Sequence, residues 1–290
     1  MDELKDKVAV ITGGTRGLGF GIAQAYIRAG AKVVVASRSE ESVKKAVLEL
    51  EGMGGEADGI NCDVGVLEDV EKLAQYSIEK FEKFDVWVNN AGLSPAYGPT
   101  IHIPHEQNEI VFQTNILGTY YGSLTAMKHF LEGGQGKLIN VSGRGDKEPV
   151  PLQNAYASSK AWMRSFTLAL AEEYKESGVG VYLFKPGMVD TDMLRKVKVV
   201  EGYENRVAAL GTIIRMWGNE PSIPAEKAVW LASSATDGKT GLVVSVFGRF
   251  QMIKGLMNEG IGRLIKRDLE EVEIEITPIK AEIPFNGQNE

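Results

Sequence analysis

Short apolar runs of strand length recur along this 290-residue chain, and longer stretches with helical periodicity separate them. The runs are KVAVIT, KVVVAS, ADGINCDV, FDVWVNNAG, GKLINVSG, GVYLFKPG and GLVVSVFG. Strands that are apolar at nearly every position are buried on both faces, as in a parallel sheet covered by helices. The pattern predicts an α/β fold with a doubly wound sheet of about seven parallel strands.

Two regions interrupt this rhythm. Residues 188–224 form a long mixed stretch, which is typical of a substrate lid or of a surface insertion, and we favour the lid. Residues 249–290 follow the last predicted strand. They combine an apolar repeat with the alternating EVEIEI, so we expect a helix and then an edge strand. The apolar repeat consists of Ile253, Met257, Ile261 and Ile265. Since no linker-like segment divides residues 1–248, we expect one domain there with a C-terminal extension.

Charge and cysteine content narrow the possible partners. A net charge of -7 gives no general attraction to nucleic acid, so we expect no nucleic-acid partner. Cys62 is the single cysteine, and no apolar segment is long enough to span a membrane. These features favour a cytoplasmic protein. We expect no metal, because Pro104 between His102 and His105 spoils a regular ligand-bearing helix.

A glycine-rich turn, VITGGTRGLG, follows the first apolar run. Strand, glycine turn and helix form a common cradle for a pyrophosphate, because glycines allow close approach and the helix start offers N–H groups. Gly13, Gly17 and Gly19 have the spacing G-x-x-x-G-x-G, which differs from the common dinucleotide pattern G-x-G-x-x-G. By itself this turn leaves open a sharp bend without a ligand.

Seven motifs follow one another in a recognisable order: TGGTRGLG, CDV, NNAG, TN, NVSG, YASSK and PGMVDTD. On these motifs the chain resembles the short-chain dehydrogenase/reductase family from about Lys7 to Gly248. The resemblance implies a single-domain Rossmann-type sheet with strand order 3-2-1-4-5-6-7. It also implies a nicotinamide cofactor across the carboxyl edge of that sheet.

The sequence holds two Tyr-x-x-x-Lys patterns, Tyr76 with Lys80 and Tyr156 with Lys160. In both, the spacing places the two side chains on one helical face, so spacing alone cannot choose between them. Tyr156 follows a strand that ends in Ser142, at the sheet edge where ligands of open α/β folds bind. We therefore expect Tyr156 to be catalytic and Tyr76 to be part of a surface pair.

The resemblance assigns roles to four residues. Tyr156 would exchange a proton with the carbonyl or alcohol oxygen, and Ser142 would hold that oxygen. Lys160 would bind the nicotinamide ribose and, together with a positive nicotinamide ring, lower the pKa of Tyr156 from its ordinary value of about 10, since a nearby positive charge stabilises a phenolate. Asn115 would complete a proton relay through a water.

The resemblance also implies a larger set of cofactor contacts. Asp63 would meet the adenine amino group, although capping of a strand end stays open as an alternative. The full set is Gly13, Thr15, Arg16, Gly17, Leu18, Gly19, Ser37, Arg38, Asp63, Val64, Asn90, Ala91, Gly92, Tyr156, Lys160, Pro186, Gly187, Val189 and Thr191.

The end of the second strand bears on the choice of nicotinamide. NAD enzymes of this architecture usually carry an acid there for the ribose 2′-hydroxyl, but the strand KVVVAS is followed by Arg38. A guanidinium can pair with a 2′-phosphate through forked hydrogen bonds. Because the family uses the positions of Arg16 and Arg38 for this preference, we expect NADP(H) rather than NAD(H).

These observations predict an NADP(H)-dependent oxidoreductase that acts on a small-molecule carbonyl or secondary alcohol. Two alternatives stay open: a non-catalytic cofactor sensor or scaffold on the same fold, and a 3-oxoacyl thioester reductase. The resemblance implies a homodimer or homotetramer formed through the helices that bear Asn115 and Tyr156. For residues 249–290 we favour a subunit contact over a cover for the site or a membrane surface.

Overall fold

The computed structural model describes residues 3–248, 252–253, 255–257, 259 and 272–283. Seven parallel strands form the main sheet in the order β3-β2-β1-β4-β5-β6-β8, so the predicted doubly wound, Rossmann-type sheet is confirmed. The strand in seventh place is β8 because an additional strand, β7, precedes it in the chain and pairs elsewhere. The sheet strands are β1 (Val8–Thr12), β2 (Lys32–Ser37), β3 (Ala57–Asn61), β4 (Val86–Asn89), β5 (Gly136–Val141), β6 (Val179–Lys185) and β8 (Val243–Ser245).

Helices cover both faces of this sheet. They are α1 (Gly17–Arg28), α2 (Glu40–Gly52), α3 (Leu67–Phe81), α4 (His105–Val111), α5 (Gly118–Gly133), α6 (Asn154–Glu173), α7 (Asp192–Arg195), α8 (Leu210–Trp217) and α9 (Ser222–Ala232). A π-helical turn, Phe112–Leu117, joins α4 to α5. Short 3-10 turns occupy Thr100–His102, Glu204–Arg206 and Ser234–Thr236.

The strand β1 shows why its sequence is apolar throughout. Ala9 and Ile11 pack into the core beside α1, α2 and α9, whereas Val8 and Val10 pack into the core beside α3 and α5. Successive side chains of a strand point to opposite faces, so burial on both faces needs an apolar residue at every position.

A buried polar network joins β4 and β5 near their carboxyl ends. The side-chain amide of Asn89 donates to Asn140 Oδ1 at 2.9 Å and to Ser123 Oγ at 3.1 Å. Asn140 in turn donates to Thr167 Oγ1 on α6 at 2.9 Å. Because buried polar groups are costly without partners, these bonds hold the two strands and their covering helices in one register.

Residues 188–224 and the C-terminal extension meet in a second, smaller sheet. Strand β7 (Lys196–Val200) pairs in parallel with β9 (Glu275–Ile279). The strand expected at EVEIEI therefore begins later and pairs with residues 188–224, not with the edge of the main sheet. Pro278 fits this place because an edge strand tolerates a residue without an N–H group.

The helix expected in the extension is described in part. Residues 252–253, 255–257 and 259 are helical. Ile261 and Ile265, the later positions of the apolar repeat, lie outside the described residues.

Candidate active site

The glycine turn between β1 and α1 lies at the carboxyl edge of the sheet. Gly13 and Gly17 have φ values of +62° and +55°, which side-chain-bearing residues rarely adopt. A Cβ on Gly19 would collide with the Gly13 carbonyl oxygen and with Asn90 Nδ2. Asn90 Nδ2 donates to the carbonyls of Thr12 at 3.0 Å and Gly13 at 3.1 Å. The turn is thus a tight one that the end of β4 holds in shape.

The start of α1 suits an anion. Arg16 is its N-cap, and within the described chain no side chain caps this end and no acid lies in its first turn. Such a helix start presents unpaired N–H groups and the positive end of the helix dipole. The residues present therefore fit the pyrophosphate of a dinucleotide.

Two arginines stand at the same edge as the turn. Gly14 N donates to the Ala36 carbonyl of β2 at 3.2 Å, so the turn lies against the end of β2 that leads to Arg38. Arg16 and Arg38 are exposed, and in the part of the chain that the structure describes neither is in an ion pair. Both guanidinium groups are available to a phosphate.

The other predicted cofactor residues border this edge. Asp63 Oδ1 accepts from Gly65 N at 2.9 Å, which matches the capping alternative and leaves its second oxygen for a ligand. The Thr191 methyl lies 3.2 Å from where a Cβ on Gly17 would be, so residues 188–224 reach the turn. Thr15, Leu18, Ser37, Ala91, Gly92, Pro186 and Gly187 are partly exposed or lie in the loops at this edge, whereas Val64 and Val189 are buried.

Lys160 and Tyr156 project from the same face of α6 toward the end of β5. Lys160 is only 4% exposed, and its Nζ donates to the Val141 carbonyl at 3.0 Å. That ammonium lies 5.5 Å from the centre of the Tyr156 ring. The hydroxyl of Tyr156 packs so closely on Gly143 that a Cβ there would collide with it.

Ser142 stands at the same point. Its side chain is buried, and its Oγ has no hydrogen-bond partner among the described residues. Since a buried hydroxyl without a partner is unfavourable, the site offers a polar atom that a ligand can satisfy. The structure thus brings Ser142, Tyr156 and Lys160 together at the end of β5.

Burial governs the ionisation of this pair. Desolvation raises the pKa of Tyr156 to about 12, and the neighbouring Tyr97 adds to the rise. Desolvation lowers the pKa of Lys160 to about 8. In the protein alone, burial thus sets the direction of the Tyr156 pKa, while the Lys160 ammonium is bound to the Val141 carbonyl. The expectation that Lys160 lowers this pKa together with a positive nicotinamide ring stays a prediction.

Asn115 lies in the π-helical turn and is fully buried. Its amide exchanges two hydrogen bonds with the backbone of Leu93, at 2.8 and 2.9 Å, and donates to Ser159 Oγ at 3.1 Å. Ser159 Oγ donates to the Tyr156 carbonyl at 2.7 Å. The Asn115 side chain thus ties the loop after β4 to the turn of α6 that carries Tyr156. Its expected part in a proton relay stays a prediction.

The family model described as short chain dehydrogenase matches residues 7–201. The chain belongs to the short-chain dehydrogenase/reductase family. The family is one of oxidoreductases.

Two curated relatives and one solved structure illustrate the similarity. The uncharacterized oxidoreductase YxnA of Bacillus subtilis is 40% identical over 197 residues, which cover 66% of this chain and 54% of that protein. The 3beta-hydroxysteroid dehydrogenase 1 of Eggerthella lenta is 33% identical over 256 residues, which cover 88% of this chain and 97% of that protein. An actinorhodin polyketide ketoreductase solved with NADPH has a TM-score of 0.76 at 30% identity, with 83% of this chain and 96% of that chain covered.

Coverage of the relatives is uneven. The chain spans 54% of the length of YxnA and 40% of the length of a probable chlorophyll(ide) b reductase of Oryza sativa, or about half the length of these curated relatives. No helix within the described ranges is both long and apolar enough to cross a membrane.

The other Tyr-x-x-x-Lys pattern, Tyr76 with Lys80, forms a surface cluster around Asp58. Tyr76 donates to Asp58 Oδ1 at 2.6 Å, and Lys80 Nζ lies 2.7 Å from Asp58 Oδ2. These residues join α3 to β3, away from Ser142. They make Tyr76 a natural control for Tyr156.

Sequence reasoning missed an anchor of the loop after β5. Asp146 is buried, and its carboxylate lies 2.7 Å from Lys185 Nζ and 3.5 Å from Arg164 Nη1. Arg144 and Lys147, the charged residues on either side of Gly145 and Asp146, are exposed. The one local signal in the sequence was Gly145 beside Asp146, which adopts a φ of +100° in the structure.

Lys160 allows a test of the burial argument through stability. Its pKa of about 8 in the folded protein lies below the value of about 10.4 in an unfolded chain. The unfolded chain therefore binds more protons between these values, and the folded state gains stability as the pH rises through them. We expect Lys160→Met to raise the melting temperature at pH 7 by about 2–4 °C or more, and this gain to shrink toward pH 10.

Thermal denaturation across this pH range measures the effect. Lys128→Met, at an exposed position of α5, is the matched control and should show no pH-dependent gain. A Lys160→Met protein that melts below the wild type at pH 7 would mean that the buried ammonium is stabilising.

Proposed function

We propose that this dehydrogenase transfers a hydride between NADP(H) and a carbonyl or secondary alcohol, with Tyr156 as the general acid and base. The observation that carries the proposal is the buried Ser142 hydroxyl, which has no hydrogen-bond partner among the described residues. It lies next to Gly143, on which the Tyr156 hydroxyl packs. Two hydroxyl donors at one point suit a carbonyl oxygen, which accepts two hydrogen bonds.

When bound at this edge, a nicotinamide cofactor would supply the hydride for a carbonyl carbon or accept one from an alcohol. Ser142 Oγ donates a hydrogen bond to the substrate oxygen and holds it in place. With a pKa of about 12, Tyr156 is protonated at neutral pH, so it can give its proton to that oxygen as negative charge develops there. The protein by itself is therefore in the state required for carbonyl reduction. The reverse reaction needs a phenolate, which a further positive charge in the site would favour.

The preference for NADP(H) is supported by charge. Arg16 and Arg38 offer two guanidinium groups at the edge where the turn meets β2, and no carboxylate ends β2 to repel a phosphate. The solved ketoreductase that resembles this chain carries NADPH. Forked hydrogen bonds from arginine to a 2′-phosphate would give the preference its strength.

The oligomeric state and the cellular location stay predictions. Phe112, Leu117 and Tyr120 form an exposed apolar face beside α6, which supports a homodimer or homotetramer through α5 and α6. Sedimentation velocity would check this, and a monomer at micromolar concentration would contradict it.

The cytoplasmic location rests on the sequence features alone, and cell fractionation that finds the protein elsewhere would contradict it.

Removal of the Tyr156 hydroxyl tests the catalytic role. We expect Tyr156→Phe to lower the rate of hydride transfer by about 10²–10⁴-fold, because the proton donor is lost, and to leave NADPH affinity within about twofold. A panel of carbonyl compounds, followed through NADPH oxidation, measures the rate. Tyr76→Phe is the matched control and should keep the wild-type rate.

Two outcomes would count against this proposal. A Tyr156→Phe rate close to that of the wild type would remove Tyr156 from the reaction. A wild-type protein that binds NADPH tightly but turns over no carbonyl in the panel would favour the cofactor sensor.

Charge reversal at Arg38 tests the choice of nicotinamide. We expect Arg38→Asp to weaken NADPH binding by about 10–100-fold, because a charge-assisted hydrogen bond is replaced by repulsion, and to change NADH binding by about twofold or less. Calorimetric titration with both nucleotides measures the affinities. Arg28→Asp, at the far end of α1, controls for the change of net charge. Equal losses for NADPH and NADH would refute the assignment.

A further inference from the structure

The described part of the C-terminal extension lies against residues 188–224, which we call the lid. We call these described residues (252–253, 255–257, 259 and 272–283) the strap. The strap strand β9 pairs with the lid strand β7 over five residues, from Lys196 with Glu275 to Val200 with Ile279. Glu201 N adds a hydrogen bond to the Ile279 carbonyl at 2.9 Å. The strap thus supplies one complete hydrogen-bonded edge of β7.

The other edge of β7 faces the site. Tyr97 N donates to the Lys198 carbonyl at 2.8 Å, and Val200 N donates to the Tyr97 carbonyl at 2.9 Å. Tyr97 lies in the loop after β4, and the next residue, Gly98, donates its N–H to the Leu152 carbonyl at 3.0 Å, just before the turn of α6 that carries Tyr156. Strand β7 is therefore held between the strap and a loop that borders the candidate catalytic tyrosine.

Side chains attach the strap to the lid helix α8 as well. Arg215 donates two hydrogen bonds to the Glu259 carboxylate, at 3.1 and 2.8 Å. The two side chains are only 20% and 10% exposed, so solvent screens this forked ion pair less than a surface pair. Trp217 Nε1 donates to the Met252 carbonyl at 3.2 Å.

A glycine on each side allows this close approach. A Cβ on Gly255 of the strap would collide with Trp217 Nε1 and lie 2.6 Å from the Met216 carbonyl oxygen. A Cβ on Gly211 of the lid would lie 2.6 Å from the Val272 carbonyl oxygen. Backbone atoms cannot give way as the end of a side chain can, so either added methyl group must push the strap from the lid.

The last described residues of the strap tie it to the loop beyond Tyr97. Glu282 N donates to the His102 carbonyl at 3.0 Å. The Glu282 carboxylate accepts from His105 N at 2.9 Å and lies 2.9 Å from His105 Nδ1. The strap therefore contacts the lid strand, the lid helix and the loop before α4.

We propose that the strap positions the lid from within the same chain, and that the substrate side of the site depends on it. Gly211, Gly255 and Glu259 are positioning residues in this arrangement: they hold β7 against Tyr97, and β7 holds the wall beside Tyr156. The inference rests on the proposed function only for its kinetic readout, since the contacts themselves can be tested without turnover. The proposal assigns the contacts of the strap to the same subunit, whereas the sequence favoured a contact with another subunit.

Two variants, Gly255→Ala and Gly211→Ala, test the coupling from both sides. We expect hydrogen exchange of the β7 amides to accelerate by about tenfold or more in each. We also expect KM for the carbonyl substrate to rise by about fivefold or more, with kcat and NADPH affinity within about twofold. Gly52→Ala is the matched control, because Gly52 ends α2 with nothing within 4 Å of an added Cβ. A second pair, Glu259→Gln against the exposed Glu275→Gln, tests the ion pair in the same way.

The results separate this inference from the proposed function. Unchanged exchange of β7 in Gly255→Ala and Gly211→Ala would overturn the strap, whatever the activity. Faster exchange with unchanged KM would overturn its link to the substrate. If the wild type turned over no carbonyl, the proposed function would fail while the exchange data would still decide the docking of the strap.

A cross-link decides whether the docking is within one chain. Lys198 and Thr277 are paired across β7 and β9 and both are exposed, so Lys198→Cys with Thr277→Cys should form a disulfide on mild oxidation. Cys62 is buried and does not compete. We expect a cross-linked single chain on a non-reducing gel. A covalent dimer would show that the extension docks on a second copy and would overturn the proposal.

Discussion

The hydrogen bond from the buried Lys160 ammonium to the Val141 carbonyl holds α6 over the carboxyl end of β5. Val141 is the last residue of that strand, and Ser142 and Gly143 follow it directly. Once Lys160 is fixed there, Tyr156, one helical turn earlier, must lie against Gly143. This arrangement has a cost, because the same burial that fixes the ammonium lowers its pKa to about 8. A site that keeps a charge at the expense of stability is typical of function rather than of packing.

Other contacts hold this centre from two sides. Below it, Asn115 and Ser159 connect the loop after β4 to the backbone of Tyr156. Beside it, strand β7 reaches the same loop through Tyr97, and the strap covers the far edge of β7. The cofactor edge is fixed separately, by Asn90 and the glycine turn. The glycine turn and β7 are thus held by largely different contacts, and Thr191 is the point where residues 188–224 reach the turn.

Much of the fold could be predicted from the sequence because the relevant signals are local. Continuous apolar strands such as VAVIT indicate burial on both faces, and the placement of Tyr156 after a strand ending in Ser142 separates it from Tyr76. What could not be predicted depends on contacts between distant segments. The rise of the Tyr156 pKa follows from burial and from the neighbouring Tyr97, which no spacing shows. The pairing of β7 with β9, and the burial of Asp146 between Lys185 and Arg164, likewise exist only after folding.

In the proposed mechanism, burial keeps Tyr156 protonated in the protein alone, and the positive charge of bound NADP⁺ would add to that of Lys160 and favour the phenolate. An NMR titration of tyrosine labelled with ¹³C at Cζ, with and without NADP⁺, measures this directly, with Tyr156→Phe to assign the signal. We expect the Tyr156 signal not to titrate up to about pH 10 in the protein alone, and NADP⁺ to lower its pKa by about two units. A Tyr156 pKa already below about 9 in the protein alone, or one that NADP⁺ leaves unchanged, would refute this mechanism.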